Sequence, residues 1–261
     1  MERSVAFDRA AEYYDRTRGN SSEGLRKTID LLTGEVRDHG PVLEVGVGTG
    51  QLGLPLHQAG IPMVGLDLAR PMMNVLVEKA GGWLPFPLVQ GDATRMPFHG
   101  GAFGAAYLRW VLQLIPAWRD ALGEIVRVVQ PGGVFLASLA SYGGPRSEIR
   151  GRFAELVGVS IEPRGLAYGG YDELDAVAIS LGLAPRALPP ILEIGHEGLD
   201  TFIDGIVNNA YSWTWEIDTD LLARTAVDVR RWAEDRYGPL ELVPHDEYES
   251  IWRAYDLPTH R

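Results

Sequence analysis

The sequence predicts an α/β fold in which a doubly wound, mostly parallel sheet is covered by helices on both faces. Strand-like apolar runs alternate with amphipathic helical stretches over the first half of the chain. The first run, Val42–Val45, ends in a glycine-rich turn, and ligands of open α/β sheets bind at the carboxyl ends of the strands. After Ala140 helical segments interrupt two late strand-like stretches, which predicts helical cap insertions on the sheet.

The predicted elements begin with an amphipathic helix over residues 21–39, which Gly40 and Pro41 end. Pro71 suits the first turn of a later helix, because a first turn leaves its amide protons unbonded and proline has none. The predicted strands are Val42–Val45, Met63–Asp67, Phe86–Gln90, Ala102–Leu108 and Val134–Leu139. The helices between them lie near Gln51–Ala59, Pro71–Lys79 and Ala117–Val129.

The second half of the chain follows a different pattern. Residues 141–170 are rich in glycine and polar residues and are predicted to be irregular. A helix capped by Asp172 is expected to run to Leu181 and to end at Gly182. Two further helices are expected at 198–211 and 220–237. We therefore expect one domain over 1–261, with a core at about 40–139 plus late strands near 187–195 and 250–257, and a cap from 1–38, 141–170 and 198–237.

Composition excludes several classes of protein. The 261 residues include no cysteine, so disulfides, thiolate metal sites and cysteine nucleophiles are ruled out. No apolar run reaches 18 residues, and the charged beginning of the chain lacks the apolar segment of a signal peptide. We therefore expect a cytoplasmic protein without a membrane span.

The distribution of charge disfavours nucleic acid as a partner. The formal net charge is −11, and from Arg186 onward 15 acidic residues accompany 7 basic ones. An acidic surface repels phosphate backbones, whereas nucleic-acid binding gains its affinity from basic side chains that displace counterions. The six histidines are scattered, and none pairs with another at the spacing of a metal site, so no metal is expected.

The glycine-rich turn admits two kinds of nucleotide. The stretch Gly48-Thr49-Gly50-Gln51-Leu52-Gly53 fits G-x-G-x-x-G, which is typical of dinucleotide sites. Asp67 ends the next strand, and a carboxylate there suits the ribose diol of NAD or of an adenosyl group. A short-chain dehydrogenase would also need Tyr-x-x-x-Lys, and neither Lys27 nor Lys79 has a tyrosine four residues earlier.

Three further features favour the adenosyl group. Glu44 lies two residues before Gly46, which gives the register E-x-G-x-G-x-G. Gln90-Gly91-Asp92-Ala93 follows the third strand and offers a carboxylate to the exocyclic amine of a purine. Val128-Val129-Gln130-Pro131-Gly132-Gly133 ends a helix and turns into a strong strand.

Together the segments VLEVGVGTG, VGLDLARPMM, VQGDATRMPF and RWVLQLIPAWRDALGEIVRVVQPGG resemble class I S-adenosylmethionine (SAM)-dependent methyltransferases, most closely the small-molecule type 11 branch. The resemblance covers about residues 6–139. It implies a Rossmann-like sheet of seven strands, one of them antiparallel, with SAM as cofactor and S-adenosylhomocysteine as product. It also implies in-line methyl transfer to a small-molecule acceptor. A non-catalytic SAM-binding protein, or a methyltransferase acting on a macromolecule, stays open as an alternative.

The resemblance implies roles around the nucleoside. Asp67 would accept hydrogen bonds from both ribose hydroxyls, although an aspartate there also commonly caps the following helix. Leu68 and Met72 would enclose the adenine ring. Asp92 would accept from the adenine amine and the Ala93 amide would donate to the ring, although Asp92 also suits an ordinary turn.

The resemblance also implies roles around the methionine part of SAM. Gly46 and Gly48 would let the backbone approach the ligand closely. Glu44 would orient the turn and the ligand's amine, and the Leu108 carbonyl would face the ammonium group. The family often has Phe-Asp at the start of the fourth strand, where this chain has Phe103-Gly104.

Segments outside the core are expected to enclose the site. Tyr14 and Arg18 would close over the methionine carboxylate, although Tyr14 also fits a core aromatic and Arg18 a solvated side chain. Where the family often has a histidine after the fourth strand, this chain has Leu114. The segment after that strand reads Leu-Arg-Trp-Val, without the Asn/Asp-Pro-Pro-Tyr/Phe signature of many methyltransferases that act on base amines.

The acceptor pocket is expected to lie between the N-terminal segment and the late helices. Tyr211, Trp213 and Trp215 form an aromatic cluster that would supply a wall for an apolar or cationic small molecule. The alternative is that these rings only pack the inserted helices onto the body. His196 follows a predicted late strand and is a candidate base. The sequence identifies neither the accepting atom nor the oligomeric state.

Overall fold

The fold was analysed in a computed structural model of the 261-residue chain. It describes residues 4, 7–8, 11, 14–15, 22–140, 144–194, 198–242 and 247–260. The helices are α1 Ser22–Val36, α2 Gly53–Gln58, α3 Arg70–Lys79, α4 Trp118–Val128, α5 Gly144–Val157, α6 Tyr171–Ser180, α7 Leu199–Val207 and α8 Thr219–Tyr237. The strands are β1 Val42–Val45, β2 Met63–Asp67, β3 Leu88–Gln90, β4 Phe103–Arg109, β5 Val129–Ser138, β6 Ala184–Ala187, β7 Ile191–Ile194, β8 Glu247–Ser250 and β9 Arg253–Asp256.

The main sheet has seven strands in the order β3-β2-β1-β4-β5-β9-β6. The strands from β3 to β5 pair in parallel, and β9 runs antiparallel to both of its neighbours. The predicted fold class, a doubly wound sheet with one antiparallel strand, is confirmed. The chain adds strands on one side of β1 and then on the other, so the topological switch point lies between β1 and β4.

Alternate residues of the strands supply two separate cores. Leu43 and Leu108 belong to the core that α4 and α6 cover, whereas Val42 and Tyr107 belong to the core under α1, α2 and α3. This division follows from the two-residue period of a strand, which points successive side chains to opposite faces. Each large apolar side chain buried in this way contributes about 1.5–3 kcal/mol, so both layers of helices are held to the sheet.

The departure at Gly104 has a steric cause. A Cβ atom at this position in β4 would overlap the carbonyl group of His39, in the connection between α1 and β1. The Gly104 amide also donates to the Pro41 carbonyl at 2.9 Å. An aspartate at 104 therefore does not fit this chain, because the backbone before β1 occupies the space of its side chain.

The cap contains a helix that the sequence analysis did not predict. Residues 141–170 were expected to be irregular, but 144–157 form α5. Ile149 and Phe153 on this helix are buried against apolar residues of α7 and α8, such as Ile203 and Val229. The helix carries few apolar residues of its own, so packing against its neighbours stabilises it more than its sequence pattern does.

The two predicted late strands are each divided in two. The segment 187–195 contains the end of β6 and then β7, and Pro189-Pro190 separates them because proline cannot donate to a strand ladder. The segment 250–257 contains the end of β8 and all of β9, with buried Trp252 between them. Only β6 and β9 join the main sheet, while β7 and β8 pair as a separate antiparallel ribbon.

Smaller differences concern element ends and absences. The helix expected to begin after a cap at Asp172 begins at Tyr171, with Gly170 at the capping position. Within the parts of the chain that the structure describes, no helix combines the length and hydropathy needed to cross a membrane. The same described residues contain no group of three or more histidines and carboxylates placed to hold a metal ion.

Candidate functional site

Two adjoining clefts open at the carboxyl ends of β1, β2 and β4, where the switch point lies. The larger cleft has a volume of about 730 Å³ and the smaller one about 350 Å³, both measured out into solvent. Both volumes fall in the range of small-molecule sites. The two clefts share five lining residues, namely Tyr14, Gly46, Gly48, Arg109 and Trp110.

The glycine-rich turn after β1 forms the floor that the clefts share. Gly46 and Gly48 have φ angles of 78° and 52°, in the region that disfavours residues with a Cβ atom. A Cβ atom at Gly46 would also lie 2.5 Å from the Cγ2 atom of Val111. The backbone itself is therefore the surface that a ligand would meet.

Asp67, at the end of β2, holds this turn in place. Its Oδ2 atom accepts from the Gly48 amide at 2.7 Å and its Oδ1 atom from the Ala69 amide at 2.8 Å, just before α3. Burial raises the pKa of Asp67 above its usual value, against the lowering effect of these amides. A carboxylate has about four acceptor positions, so Asp67 serves the local turn and retains capacity for further donors.

Glu44 is the most strongly perturbed acid at the clefts. It is 5% exposed, and burial raises its pKa to about 8, with a further increase from Asp67. The Tyr107 hydroxyl, the Arg109 guanidinium and the Gly53 amide lower the pKa by less. Glu44 lines the smaller cleft, and its Oε2 atom makes no hydrogen bond within the described residues. The site is therefore suited to a buried cationic or hydrogen-donating group.

The residues with implied roles at the nucleoside gather in the larger cleft, which Asp67, Leu68, Met72, Asp92 and Ala93 all line. The Oδ1 atom of Asp92 accepts from the amide and the hydroxyl of Thr94 at 2.9 and 2.8 Å, which fixes the carboxylate as in a turn. Its Oδ2 atom has no recorded bond among the described residues.

Leu108 lies beneath the clefts rather than at their surface. Its side chain is fully buried, and it pairs with Val45 on one side and Ala137 on the other. Arg109 and Trp110, the next two residues, line both clefts. Sequence reasoning missed both, although an Arg-Trp pair directly after an apolar strand is a visible signal.

A second missed residue is Asp15, which fixes the N-terminal segment to the turn. Its Oδ1 atom accepts from the Thr49 hydroxyl at 2.6 Å and from the Gln51 side-chain amide at 2.9 Å. Its Oδ2 atom forms an ion pair with Lys79 at 2.6 Å. Burial raises the pKa of Asp15, but these three partners outweigh it and the net shift is downward. The contact holds neighbouring Tyr14 beside both clefts.

One side of the larger cleft is apolar. Val111, Leu114 and Ile115 follow β4 and line it together with Phe7 from the N-terminal segment. The ring of Phe7 lies 5.0 Å from that of Trp215, between ring centroids. The N-terminal segment and the cap therefore meet beside the cleft, at Phe7 and Trp215.

The other predicted acceptor residues lie elsewhere. Tyr211 packs 5.3 Å from Phe202 and Trp213 packs 6.5 Å from Phe153, both between ring centroids and both within the cap core. Neither lines the described clefts, so their rings pack the cap, the alternative that the sequence left open. Arg18 and His196 lie outside the described residues.

Comparisons with known proteins cover different parts of the chain. Residues 43–137 match the model of the type 11 methyltransferase domain. A demethylmenaquinone methyltransferase from Streptomyces avermitilis is 34% identical over 130 residues, which are 49% of this chain and 55% of that protein. A malonyl-[acyl-carrier protein] O-methyltransferase from Salmonella typhimurium is 30% identical over 131 residues, 50% of each protein.

Structural similarity extends further along the chain. The crystal structure of the YcgJ protein from Bacillus subtilis is similar with a TM-score of 0.61 at 17% identity, over 90% of this chain and 98% of that one. The chain spans about half the length of the curated relatives that it matches. The sequence matches therefore concern the sheet and the clefts, whereas the structural similarity at this identity concerns the fold.

Proposed function

We propose, from the class I methyltransferase domain of the type 11 branch that residues 43–137 form, that the protein transfers the methyl group of SAM to a small-molecule acceptor. The observation that carries this proposal is the convergence of the glycine turn, Asp67, Asp92 and buried Glu44 on adjoining clefts at the switch point.

The residues present fit the chemistry of SAM. The Oε2 atom of Glu44 is buried without a hydrogen-bond partner among the described residues, as expected of an acceptor that awaits an ammonium group. Side chains at Gly46 and Gly48 would occupy the floor along which a ligand would lie. Asp67 keeps acceptor capacity toward the larger cleft, where a ribose diol would donate to it.

When bound, SAM supplies an electrophilic methyl group that a nucleophile approaches in line. The protein's contribution is to fix the geometry and to exclude water. Alignment of two reactants can account for about 7–11 kcal/mol of a barrier. A general base is needed only where the acceptor loses its proton early, so the proposed mechanism assigns none.

The apolar wall of the larger cleft favours a small apolar acceptor. Phe7, Val111, Leu114 and Ile115 offer no charge to an acceptor, and sites for small molecules are mostly apolar with few polar groups. The two relatives named above act on different acceptors according to their names, so their acceptors are not transferred to this chain.

Calorimetry with SAM, S-adenosylhomocysteine and NADH tests the cofactor assignment. Both sulfur ligands are expected to bind and NADH is not. Asp67→Ala should weaken both sulfur ligands about ten- to a hundred-fold, because a hydrogen bond to a charged group contributes about 1.5–3 kcal/mol. Binding of NADH without a response to either sulfur ligand would overturn the proposal. SAM consumption with pooled metabolites would then identify the acceptor.

A further inference from the structure

The smaller cleft contains one acid and one base side by side. Among its lining residues only Glu44 and Arg109 carry an ionisable charge of opposite sign. The two are close enough for the guanidinium of Arg109 to lower the pKa of the Glu44 carboxyl. Arg109 is also the only basic residue that lines the described larger cleft, where the acids are Asp67 and Asp92.

Arg109 is held in a fixed position by the end of β4. Trp110 has a φ of 58°, an uncommon conformation for a residue with a bulky side chain. The Trp110 amide donates to the Ser138 carbonyl at 2.8 Å, which ties this turn to β5. The guanidinium of Arg109 lies over the Trp110 ring, 3.9 Å from its centroid. Such stacking attracts the cation and presents its planar edge.

An amino acid carries its ammonium and its carboxylate on the same carbon atom. A site for the amino-acid end of a ligand must therefore offer an acid and a base within one small space. Glu44 and Arg109 meet this requirement in the smaller cleft, whereas Asp67 and Asp92 in the larger cleft suit the uncharged donors of a nucleoside. The placement of Arg109 beside Glu44 favours the cofactor rather than the acceptor as its ligand.

We infer that Arg109 binds the α-carboxylate of SAM while Glu44 binds its ammonium group, so that the smaller cleft recognises the amino-acid end of the cofactor. This inference rests on the proposed function and goes beyond it, since the motif residues assigned above do not include Arg109. A guanidinium binds a carboxylate through two parallel hydrogen bonds, which fixes direction as well as charge.

The test compares S-adenosylhomocysteine with 5′-methylthioadenosine, which has the same nucleoside and sulfur but no amino acid. For Arg109→Gln we expect the Kd of S-adenosylhomocysteine to rise about ten- to a hundred-fold, the range for a lost charged hydrogen bond. The Kd of 5′-methylthioadenosine should change less than about two-fold. Arg109→Lys should recover part of the affinity, because it keeps the charge but not the paired donors.

Arg119→Gln is the matched control. It removes the same charge from an exposed arginine that pairs with Glu173 on α6, away from the clefts, and should change neither Kd. A second measurement needs no variant, because the primary amide of S-adenosylhomocysteine should bind the natural protein more weakly than the acid does. That difference should disappear in Arg109→Gln.

Each other outcome has a distinct meaning. Equal weakening of both nucleosides in Arg109→Gln would make Arg109 a structural residue and overturn the inference. Unchanged binding of S-adenosylhomocysteine, or equal affinity of its acid and amide for the natural protein, would overturn it as well. If the natural protein binds neither nucleoside, the proposed function itself fails.

Discussion

The turn after β1 and the cap differ in what forms their surfaces. In the turn, backbone atoms line the clefts, and the side chains of Asp67 and Asp15 bind that backbone from outside. In the cap, α5, α7 and α8 are joined by a cluster of apolar side chains that includes Phe153, Phe202 and Leu222. One region depends on conformations and hydrogen bonds, and the other on buried apolar area.

Ion pairs across the cap add little to this. Arg236 on α8 pairs with Glu148 on α5 at 2.7 Å, but their side chains are 52% and 46% exposed. Pairs so exposed contribute about 0–1 kcal/mol. The contrast teaches that a change in the cap should alter stability and leave the nucleoside clefts intact, while a change in the turn should do both.

The largest expected effect is the loss of a cap side chain. Phe153→Ala removes a fully buried ring and should lower the free energy of unfolding by about 3–5 kcal/mol. The affinity for S-adenosylhomocysteine should stay within about two-fold, because Phe153 does not line either described cleft. Urea unfolding and calorimetry measure the two quantities. A parallel loss of affinity would break the separation between the cap and the turn.

A pH dependence is expected from the turn alone. The pKa of Glu44 is about 8 in the folded protein against 4.5 for the free side chain. Between these values the unfolded chain has lost the proton and the folded protein retains it, so stability falls as pH rises. Relative to Glu44→Gln, the natural protein should lose roughly 3 kcal/mol of unfolding free energy from pH 5 to 8.

Urea unfolding of the two proteins at several pH values measures this difference. Phe153→Ala provides the control, since the pH dependence of that variant should match that of the natural protein. Parallel pH profiles for the natural protein and Glu44→Gln would show that Glu44 does not carry a raised pKa.

The smallest effect on stability is expected at the glycines, and it sharpens the comparison. Gly46→Ala should lower the unfolding free energy by about 1–3 kcal/mol, because alanine disfavours a positive φ. It should also weaken S-adenosylhomocysteine, because the methyl group would displace Val111. Gly123→Ala on α4 is the matched control, since its Cβ would meet no atom within 4 Å. It should stabilise the protein by about 0.5–1 kcal/mol, and equal effects of both changes would contradict this.

The regions also differ in how far sequence reasoning reached. The bounds of β1 and β2 were predicted to the residue, because a buried parallel strand is a short apolar run with a turn at each end. The helix α5 was missed because its stabilising partners come from α7 and α8, far along the chain. The late strands were joined in the prediction because the weight of Pro189-Pro190 as an interruption was underestimated.

At the site, the residues carried by motifs were placed around one pair of clefts, while Arg109 and Asp15 were not anticipated. Motifs record where a backbone turn is obligatory, as at Gly46. The contributions of Arg109 and Asp15 depend on what the topology brings near them, Trp110 and Glu44 for one and Lys79 for the other. Such pairings between distant segments leave no local pattern.

The ion pair between Asp15 and Lys79 has a consequence for the timing of turnover. Both side chains are 36% exposed, so dissolved salt weakens their attraction, over a Debye length of about 8 Å at physiological ionic strength. Lys79 also donates to the Thr49 carbonyl at 2.9 Å, so the same ammonium group fixes the N-terminal segment and the glycine-rich turn. Departure of a spent nucleoside past Tyr14 requires this contact to open, and the departure rate should therefore increase with ionic strength.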